Sequence, residues 1–336
     1  MKKYNVGILG ATGAVGREML KVLGERNFPI NELRLFASQR SEGKVIEFQG
    51  KEYKVEVAKK GVFNGLDIVL GAASSTVAKE LASDIVASKA IFIDNSSAFR
   101  MNDDVPLVVP EINGDDVFKN KGIIANPNCS TIITLMAINA INKMSPVAAI
   151  VASTYQATSG AGAEGPIELR SEEEAILNGK EITPHVFQYQ IAENVIPHIG
   201  SFLDNGYTTE EMKMQNEGRK IMHLENLKVT CTCVRVPVVR SHSISVTLIT
   251  QDKLDLDEVR NNISKEKGCR LYDDKANNIY PMPIVTSDQD LVYVGRIRRD
   301  LINDRGITLW CCGDQVRKGA ATNAVQIALK LIGLDF

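Results

Sequence analysis

The run Asn126-Pro-Asn-Cys129-Ser-Thr131 places a thiol at the junction of two patterns. Ile123-Ile124-Ala125 reads as a short apolar strand, and Ile132 to Ile141 reads as a helix. A helix N-terminus carries the positive end of its dipole, which stabilises a thiolate. Parallel sheets also tend to place ligands beyond the carboxyl ends of their strands. Cys129 is therefore the candidate nucleophile. The chain has six cysteines, the others being Cys231, Cys233, Cys269, Cys311 and Cys312. Cys231-Thr-Cys233 and Cys311-Cys312 lie in apolar β-like runs, where packing is expected rather than metal binding. The spacing suits neither a zinc ribbon nor a finger, and the density is too low for a disulfide scaffold. A reducing cytosol is expected.

A cysteine nucleophile calls for an acid or base. Four histidines are available: His185, His198, His223 and His242. Each also fits an ordinary surface or core position. His242 is the best placed, because Arg240-Ser241-His242-Ser243 separates two strand patterns, Val229–Val239 and Ser243–Thr250. A rigid loop between strands is a good mount for such a group.

A second chemical feature lies near the start of the chain. Gly10-Ala-Thr-Gly13-Ala-Val-Gly16 follows the strand pattern Val6–Leu9 and opens a helix carrying Val15, Met19, Val22 and Leu23. Glycines permit a tight turn and close approach to a pyrophosphate, which the helix N-terminus then holds. The pattern is GxxGxxG rather than GxGxxG, and a plain strand-to-helix turn is the alternative. The second strand ends in Ala37-Ser-Gln-Arg40-Ser41, without the acidic residue an NAD site places there. The guanidinium and hydroxyls suit a 2′-phosphate, so NADP is expected. The alternative is that Arg40 is a solvated loop charge.

The elements that must position these groups follow from periodicity. Strands are expected at 33–37, 68–70, 91–94 and 123–125, alternating with helices, one of which carries Val77, Leu81 and Ile85. Strands apolar throughout imply a parallel sheet covered on both faces. After Cys129 the style changes. Strands are expected at 148–154, 229–236, 243–250, 292–297 and 306–312, with helices at 165–178 and 209–221. The fold class is α/β: an N-terminal Rossmann-like parallel-sheet domain, then an α+β domain with a mixed sheet. A final helix over 315–332 is expected to pack back on the first domain, giving domains of 1–128 with 315–336 and of 129–314. Charged residues are 24% and the net charge is −2, which favours neither nucleic acid nor a membrane surface. No apolar run is long enough to span a bilayer, and the N-terminus lacks a signal-peptide pattern.

Several ordered motifs together resemble one family, the bacterial-type aspartate-semialdehyde dehydrogenases. They are Gly7–Gly16, Asn95-Ser-Ser-Ala-Phe-Arg100, Val109-Pro-Glu-Ile-Asn113 and Asn126–Thr131. They continue with Tyr155-Gln-Ala-Thr-Ser-Gly-Ala-Gly162, Glu210-Glu-Met-Lys213, Arg235-Val-Pro-Val238, Arg240-Ser-His242 and Asp314–Gly319. The resemblance covers nearly the whole chain. It implies that Cys129 forms an acyl thioester, that Gln156 orients the substrate or acyl group, and that His242 is the general acid/base. Arg235 would bind the substrate α-carboxylate and Glu210 its amino group. Arg100 and Lys213 would bind phosphate, and Asn128 would join the substrate site. Gly10, Thr12, Gly13, Ala14 and Val15 would line the NADP site. Arg40, Ser41, Ser159, Gly160 and Gln315 would complete it.

The implied reaction is NADPH-dependent, reversible conversion of L-aspartyl 4-phosphate to aspartate semialdehyde and phosphate. It would serve lysine/diaminopimelate, threonine and methionine biosynthesis, in a cytoplasmic homodimer built through the second domain. One assignment stays open: Glu-x-x-Lys occurs at Glu210/Lys213 and again at Glu217/Lys220, about two helical turns apart. Both could instead be surface ion pairs. The rival readings are an N-acetyl-glutamyl-phosphate reductase, a non-catalytic NADP-binding paralogue, and a metalloenzyme using Cys231 and Cys233.

Overall fold

The computed structural model describes residues 2–336. The chain divides into two compact units, one running to Asn128 and joined by Ala320–Phe336, the other Cys129–Gly319. Residues 315–319 thus fall with the second unit, later than the switch expected from sequence.

The first unit contains β1 (Tyr4–Leu9), α1 (Ala14–Glu25), β2 (Ile30–Ala37), β3 (Val45–Phe48), β4 (Lys51–Val57), β5 (Ile68–Gly71), α2 (Ser75–Ala87), β6 (Ile91–Asp94), α3 (Pro110–Asn113) and β7 (Ile123–Ala125). Its seven strands are ordered β3-β4-β2-β1-β5-β6-β7. All neighbours are parallel except β3 and β4. Strand alternation sends Val6, Ile8, Leu35 and Leu70 into one core and Leu9, Phe36, Val69 and Phe92 into another. This double burial is why these strands read as continuous apolar runs.

The β3–β4 hairpin was not expected. Its residues alternate apolar with charged, and Lys51, Glu52 and Lys54 are exposed at the sheet edge. Gln49 and Gly50 both have positive φ, 51° and 74°, in keeping with a tight hairpin turn.

The second unit contains α4 (Cys129–Met144), β8 (Val147–Gln156), α5 (Glu164–Leu177), α6 (Thr209–Met222), β9 (Lys228–Arg235), β10 (His242–Thr250), α7 (Leu256–Lys265), β11 (Cys269–Leu271), α8 (Pro283–Thr286), β12 (Val292–Arg299) and β13 (Gly306–Gly313). The six strands are ordered β11-β12-β13-β10-β8-β9. The outer pairs β8–β9 and β11–β12 are parallel and the inner ones antiparallel. This is the expected mixed sheet. Helices α4, α6 and α7 pack on it. The middle of α4, Ser130 to Ile141, is buried on every side, as its nearly continuous apolar sequence requires.

The chain returns to the first unit as α9 (Thr322–Leu331), which packs against α1. This helix starts later than the expected 315. A π-helical turn at Arg317–Ala321 precedes it. Asp314 accepts the backbone N–H groups of Val316 and Arg317 at 2.9 and 3.1 Å, which shapes that segment as a turn.

Candidate active site

In the first unit, the glycine turn is built by close backbone contacts. The N–H groups of Gly10 and Ala11 donate to Phe36 O at 2.8 and 3.1 Å, tying the turn to the end of β2. Gly10 has φ +87°, and a Cβ there would lie 2.6 Å from Ala72 O. A Cβ on Gly16 would lie 2.3 Å from Gly10 O. Only glycine fits at both positions. The first turn of α1 has no side-chain cap and no acidic residue, so its N–H groups face outward with the dipole unopposed. Beside it lies a cavity of about 420 Å³, lined among others by Gly10, Thr12, Gly13, Ser38 and Ala73. Thr12 and Ser41 hydroxyls are 3.4 Å apart, and Arg40 is exposed in the short 3-10 turn Gln39–Ser41. A glycine cradle, a helix N-terminus and a nearby cation fit a dinucleotide with a phosphorylated ribose.

Arg100 and Asn128, also in the first unit, are both buried. Arg100 donates through Nε to Asn126 O at 2.9 Å and through Nη2 to Asn95 O at 2.8 Å, so the strand ends hold it. Asn126 is itself fixed by Asn95 Oδ1 at 2.5 Å and by Asn323 Nδ2 at 2.6 Å.

In the second unit, Cys129 is the first residue of α4 and half-buried. The helix therefore begins on the thiol itself, slightly earlier than the periodicity indicated. Parallel register sets Gln156 beside Arg235 at the ends of β8 and β9. The Thr154 hydroxyl donates to Gln156 Oε1 at 2.9 Å, and Gln156 Nε2 donates to Glu210 Oε1 at 3.2 Å. The amide orientation is thus set from both sides. Glu210 sits in the first turn of α6, which Thr208 and Glu211 start with a capping box. Its other oxygen accepts from Lys213 Nζ at 2.7 Å.

Arg235 donates through Nη1 to Ala157 O at 2.6 Å and stacks over Phe187 at 5.8 Å. Burial lowers its pKa; negative charge at Cys129 and Glu210 opposes that.

His242 begins β10 rather than sitting in the preceding loop, and it is fully buried. Its Nδ1 accepts the Ala157 N–H at 3.0 Å, and its Nε2 has no partner within the protein. Burial, then the Arg235 cation, push its pKa down to about 3, against a smaller opposing pull from Glu210. Gly160 lies against the side chains of both Arg235 and His242. A Cβ there would be 2.7 Å from Arg235 Nη1 and 3.2 Å from His242 Nε2.

A second chain of contacts links Cys129 to His242. A Cβ on Gly319 would be 2.8 Å from Cys129 Cβ and 3.4 Å from Gln315 Cβ. Gln315 Oε1 accepts the Ser241 N–H at 2.8 Å, and Gln315 Nε2 donates to the Ser159 hydroxyl. Ser241 has φ +74°, unusual for a residue with a side chain. Buried Asp314 anchors the same corner, accepting from Arg240 Nε at 2.7 Å and Asp288 N at 2.7 Å. Thr154, Ala157, Phe187 and Asp314 were given no role in the sequence reading. Ala157 and Asp314 had a signal there, as members of the Tyr155–Gly162 and Asp314–Gly319 motifs.

Glu217 is buried on the same helix, but it is Glu210 that meets Gln156. Cys231 and Cys233 are buried with sulfurs 3.7 Å apart, and Cys311 and Cys312 are buried in β13. The Cys231 contact and burial raise the Cys233 pKa, and burial raises those of Cys311 and Cys312. Such thiols are poor nucleophiles. Among the described residues no three His, Cys, Asp or Glu side chains converge as a metal site.

Two family models match: the semialdehyde dehydrogenase NAD binding domain over residues 5–120 and the semialdehyde dehydrogenase dimerisation domain over 138–318. The aspartate-semialdehyde dehydrogenase of Aquifex aeolicus is 50% identical over 333 residues, 98% of each chain. That of Bacillus subtilis is 47% identical over 98% of each chain. The crystal structure of Vibrio cholerae aspartate semialdehyde dehydrogenase II complexed with ASA superposes with a TM-score of 0.97 at 42% identity, covering 100% of both chains. With both models matched and this identity sustained along its length, the chain belongs to the aspartate-semialdehyde dehydrogenase family.

Proposed function

We propose that the chain converts L-aspartyl 4-phosphate to L-aspartate 4-semialdehyde, reversibly and with NADPH, through a thioester on Cys129. The observation that carries this reading is the bond from Gln156 to Glu210 in a cluster that also holds Arg235, His242 and Cys129. The Cys129 thiolate, stabilised by the start of α4 and the charge of Arg235, attacks the acyl carbon. Phosphate leaves, with Arg100 and Lys213 taking its charge. Gln156 orients the acyl group. Gly10 to Val15, Arg40 and Ser41 would hold NADPH, to which the family resemblance adds Ser159, Gly160 and Gln315, and the cofactor would supply hydride to the thioester. His242 acts on the oxygen of the resulting tetrahedral intermediate, which collapses to the aldehyde and the free thiolate.

Arg235 offers a fork to a planar α-carboxylate, and Glu210 an anion to an ammonium. An N-acetylated substrate would offer Glu210 no ammonium, which is the physical ground for preferring a free amine. Asn128 completes the substrate contacts. A half-buried Cys129 kept as a thiol suits a reducing cytosol.

We also propose that a homodimer forms through the second unit, in which Val151 and Tyr155 are exposed on the sheet and Tyr155 packs against Trp310 at 5.3 Å. An apolar sheet surface of this kind suits association with a copy of itself. The product would feed lysine/diaminopimelate, threonine and methionine biosynthesis.

The test is phosphate-dependent reduction of NADP with aspartate semialdehyde, repeated with NAD and with N-acetyl-glutamate semialdehyde. Turnover of the free-amine aldehyde with NADP is expected. Turnover of the acetylated aldehyde alone would overturn the substrate assignment.

A further inference from the structure

We infer that Glu168 and Glu172 are positioning residues for substrate recognition: they pin the segment 185–192 so that Phe187 sets the plane of the Arg235 guanidinium for the substrate α-carboxylate. This deepens the reading above and rests on the carboxylate role proposed there for Arg235.

Residues 180–195 form neither helix nor strand. Backbone N–H groups in such a stretch still need acceptors when they are buried. Two side chains of α5 supply them. Glu168 Oε2 accepts the N–H groups of His185 and Val186 at 2.8 and 2.6 Å, and Glu168 Oε1 accepts that of Phe187 at 3.1 Å. Glu172 Oε2 accepts the N–H groups of Ile191 and Ala192, both at 2.8 Å. The two carboxylates are four residues apart, so they lie on one face of the helix one turn apart. They are only 8% and 4% exposed, so their bonds are little weakened by water. Leu169 of the same helix packs with Phe187, Ile191, Ala192 and Ile196 in a small apolar cluster. Five hydrogen bonds and one apolar contact surface thus replace the regular structure that the segment lacks.

The segment holds Arg235 twice. Ile196 pairs with it through the backbone, donating to Arg235 O at 2.9 Å and accepting from Arg235 N at 2.8 Å. The Phe187 ring lies 5.8 Å from the guanidinium carbon, within the range of a cation–π contact. Phe187 is also the residue whose own N–H is caught by Glu168. A guanidinium grips a carboxylate bidentately only in its own plane. A ring over one face fixes that plane, while Ala157 O fixes one edge through Nη1 at 2.6 Å.

Helix α5 is itself seated on the site. A Cβ on Gly165 would run into Thr158 O and come within 3.3 Å of the Phe187 ring. Thr158 in turn donates its N–H to Val238 O at 2.8 Å, just beyond β9. A shift of α5 or of its two carboxylates therefore moves Phe187 relative to Arg235. Glutamine at 168 would keep one acceptor oxygen but aim an amide N–H at one of the three backbone donors.

The experiment measures kcat and KM of the full chain with aspartate semialdehyde, phosphate and NADP. Glu168→Gln should raise KM for the aldehyde about 5–20-fold with kcat within about 3-fold, because a carboxylate contact is made alike in ground and transition states. KM for NADP should not change. Glu172→Gln should follow with a smaller rise of about 2–5-fold, as the Phe187 N–H is not among its bonds. The decisive arm repeats Glu168→Gln in an Arg235→Lys background. Lysine has no plane for the ring to set, so the added change in KM should be under about 2-fold.

The same factor in both backgrounds, or a fall in kcat with KM unmoved, overturns the inference and leaves the two glutamates as scaffolding. Should Glu168→Gln fail to fold, as read by thermal unfolding, Phe187→Leu takes its place in the same cycle with the same expected split. Arg235→Lys alone separates the two levels. If it leaves KM for the aldehyde at the wild-type value, the carboxylate role of Arg235 fails. If it raises KM while the two losses simply multiply, only the role given to Glu168 and Glu172 fails.

Discussion

The glycine turn and the cysteine cluster are two ways of making a site. The turn in the first unit uses seven consecutive residues, Gly10 to Gly16, and its working parts are backbone N–H groups. The cluster in the second unit draws on Cys129 of α4, Gln156 of β8, Glu210 of α6, Arg235 of β9 and His242 of β10, and its working parts are side chains. The turn is defined by where a Cβ cannot go: 2.6 Å from Ala72 O at Gly10 and 2.3 Å from Gly10 O at Gly16. The cluster is defined by which atom each polar group faces. The first should fail through shape, together with some stability. The second should fail through chemistry, with the fold intact.

Cys129→Ala should show this separation most sharply. Turnover is expected to drop by about 10⁴-fold or more, since no other group can form the acyl intermediate. The NADP Kd, read by calorimetry, should stay within about twofold, as the turn is untouched. A variant with full activity would remove the thioester mechanism. Gly16→Ala attacks the other region. The added methyl collides with backbone, so thermal unfolding should show a loss of about 1–3 kcal/mol. NADP binding should weaken at least ~10-fold as the anion-binding N–H groups shift. The rate at which a small alkylating reagent labels Cys129 should not change; a parallel loss would mean the two regions are not separable.

Smaller effects sharpen each side. Arg40→Ala should lower the preference for NADP over NAD by about 10-fold, from loss of one charge-assisted contact, measured as the ratio of kcat/KM values. An unchanged ratio would leave Arg40 a solvated loop charge. Thr154→Val keeps shape and removes the donor that orients Gln156. A fall in kcat of about 2–10-fold is expected, the worth of one neutral hydrogen bond, with KM nearly constant. Thr154→Ser should restore it. If serine fails as badly as valine, the methyl and not the hydroxyl matters, and Thr154 is merely packing.

The same contrast explains what could be read from sequence. The glycine turn was visible because its parts are adjacent and their order is the mechanism. Cys129 was visible because strand, thiol and helix follow one another directly. Thr154 was invisible as a positioning group, since nothing local distinguishes a strand threonine that bonds Gln156 from one that fills space. The β3–β4 hairpin escaped because its exposed charges dilute the alternation that marks a strand. The start of α9 was misplaced because the carboxylate of Asp314, not the apolar period, decides where that segment turns.

By itself the sequence determined the fold class, the two sheets and the chemical inventory. Apolar periodicity and glycine placement act over a few residues and are written directly in the chain. Tertiary structure decided which groups meet. The partner of His242 Nδ1 is an amide 85 positions away, brought there by the pairing of β8 with β10. The setting of that ring depends on this one contact and on burial. Neither has a local signature, because hydrogen-bond direction and desolvation belong to the assembled interior and not to any residue in it.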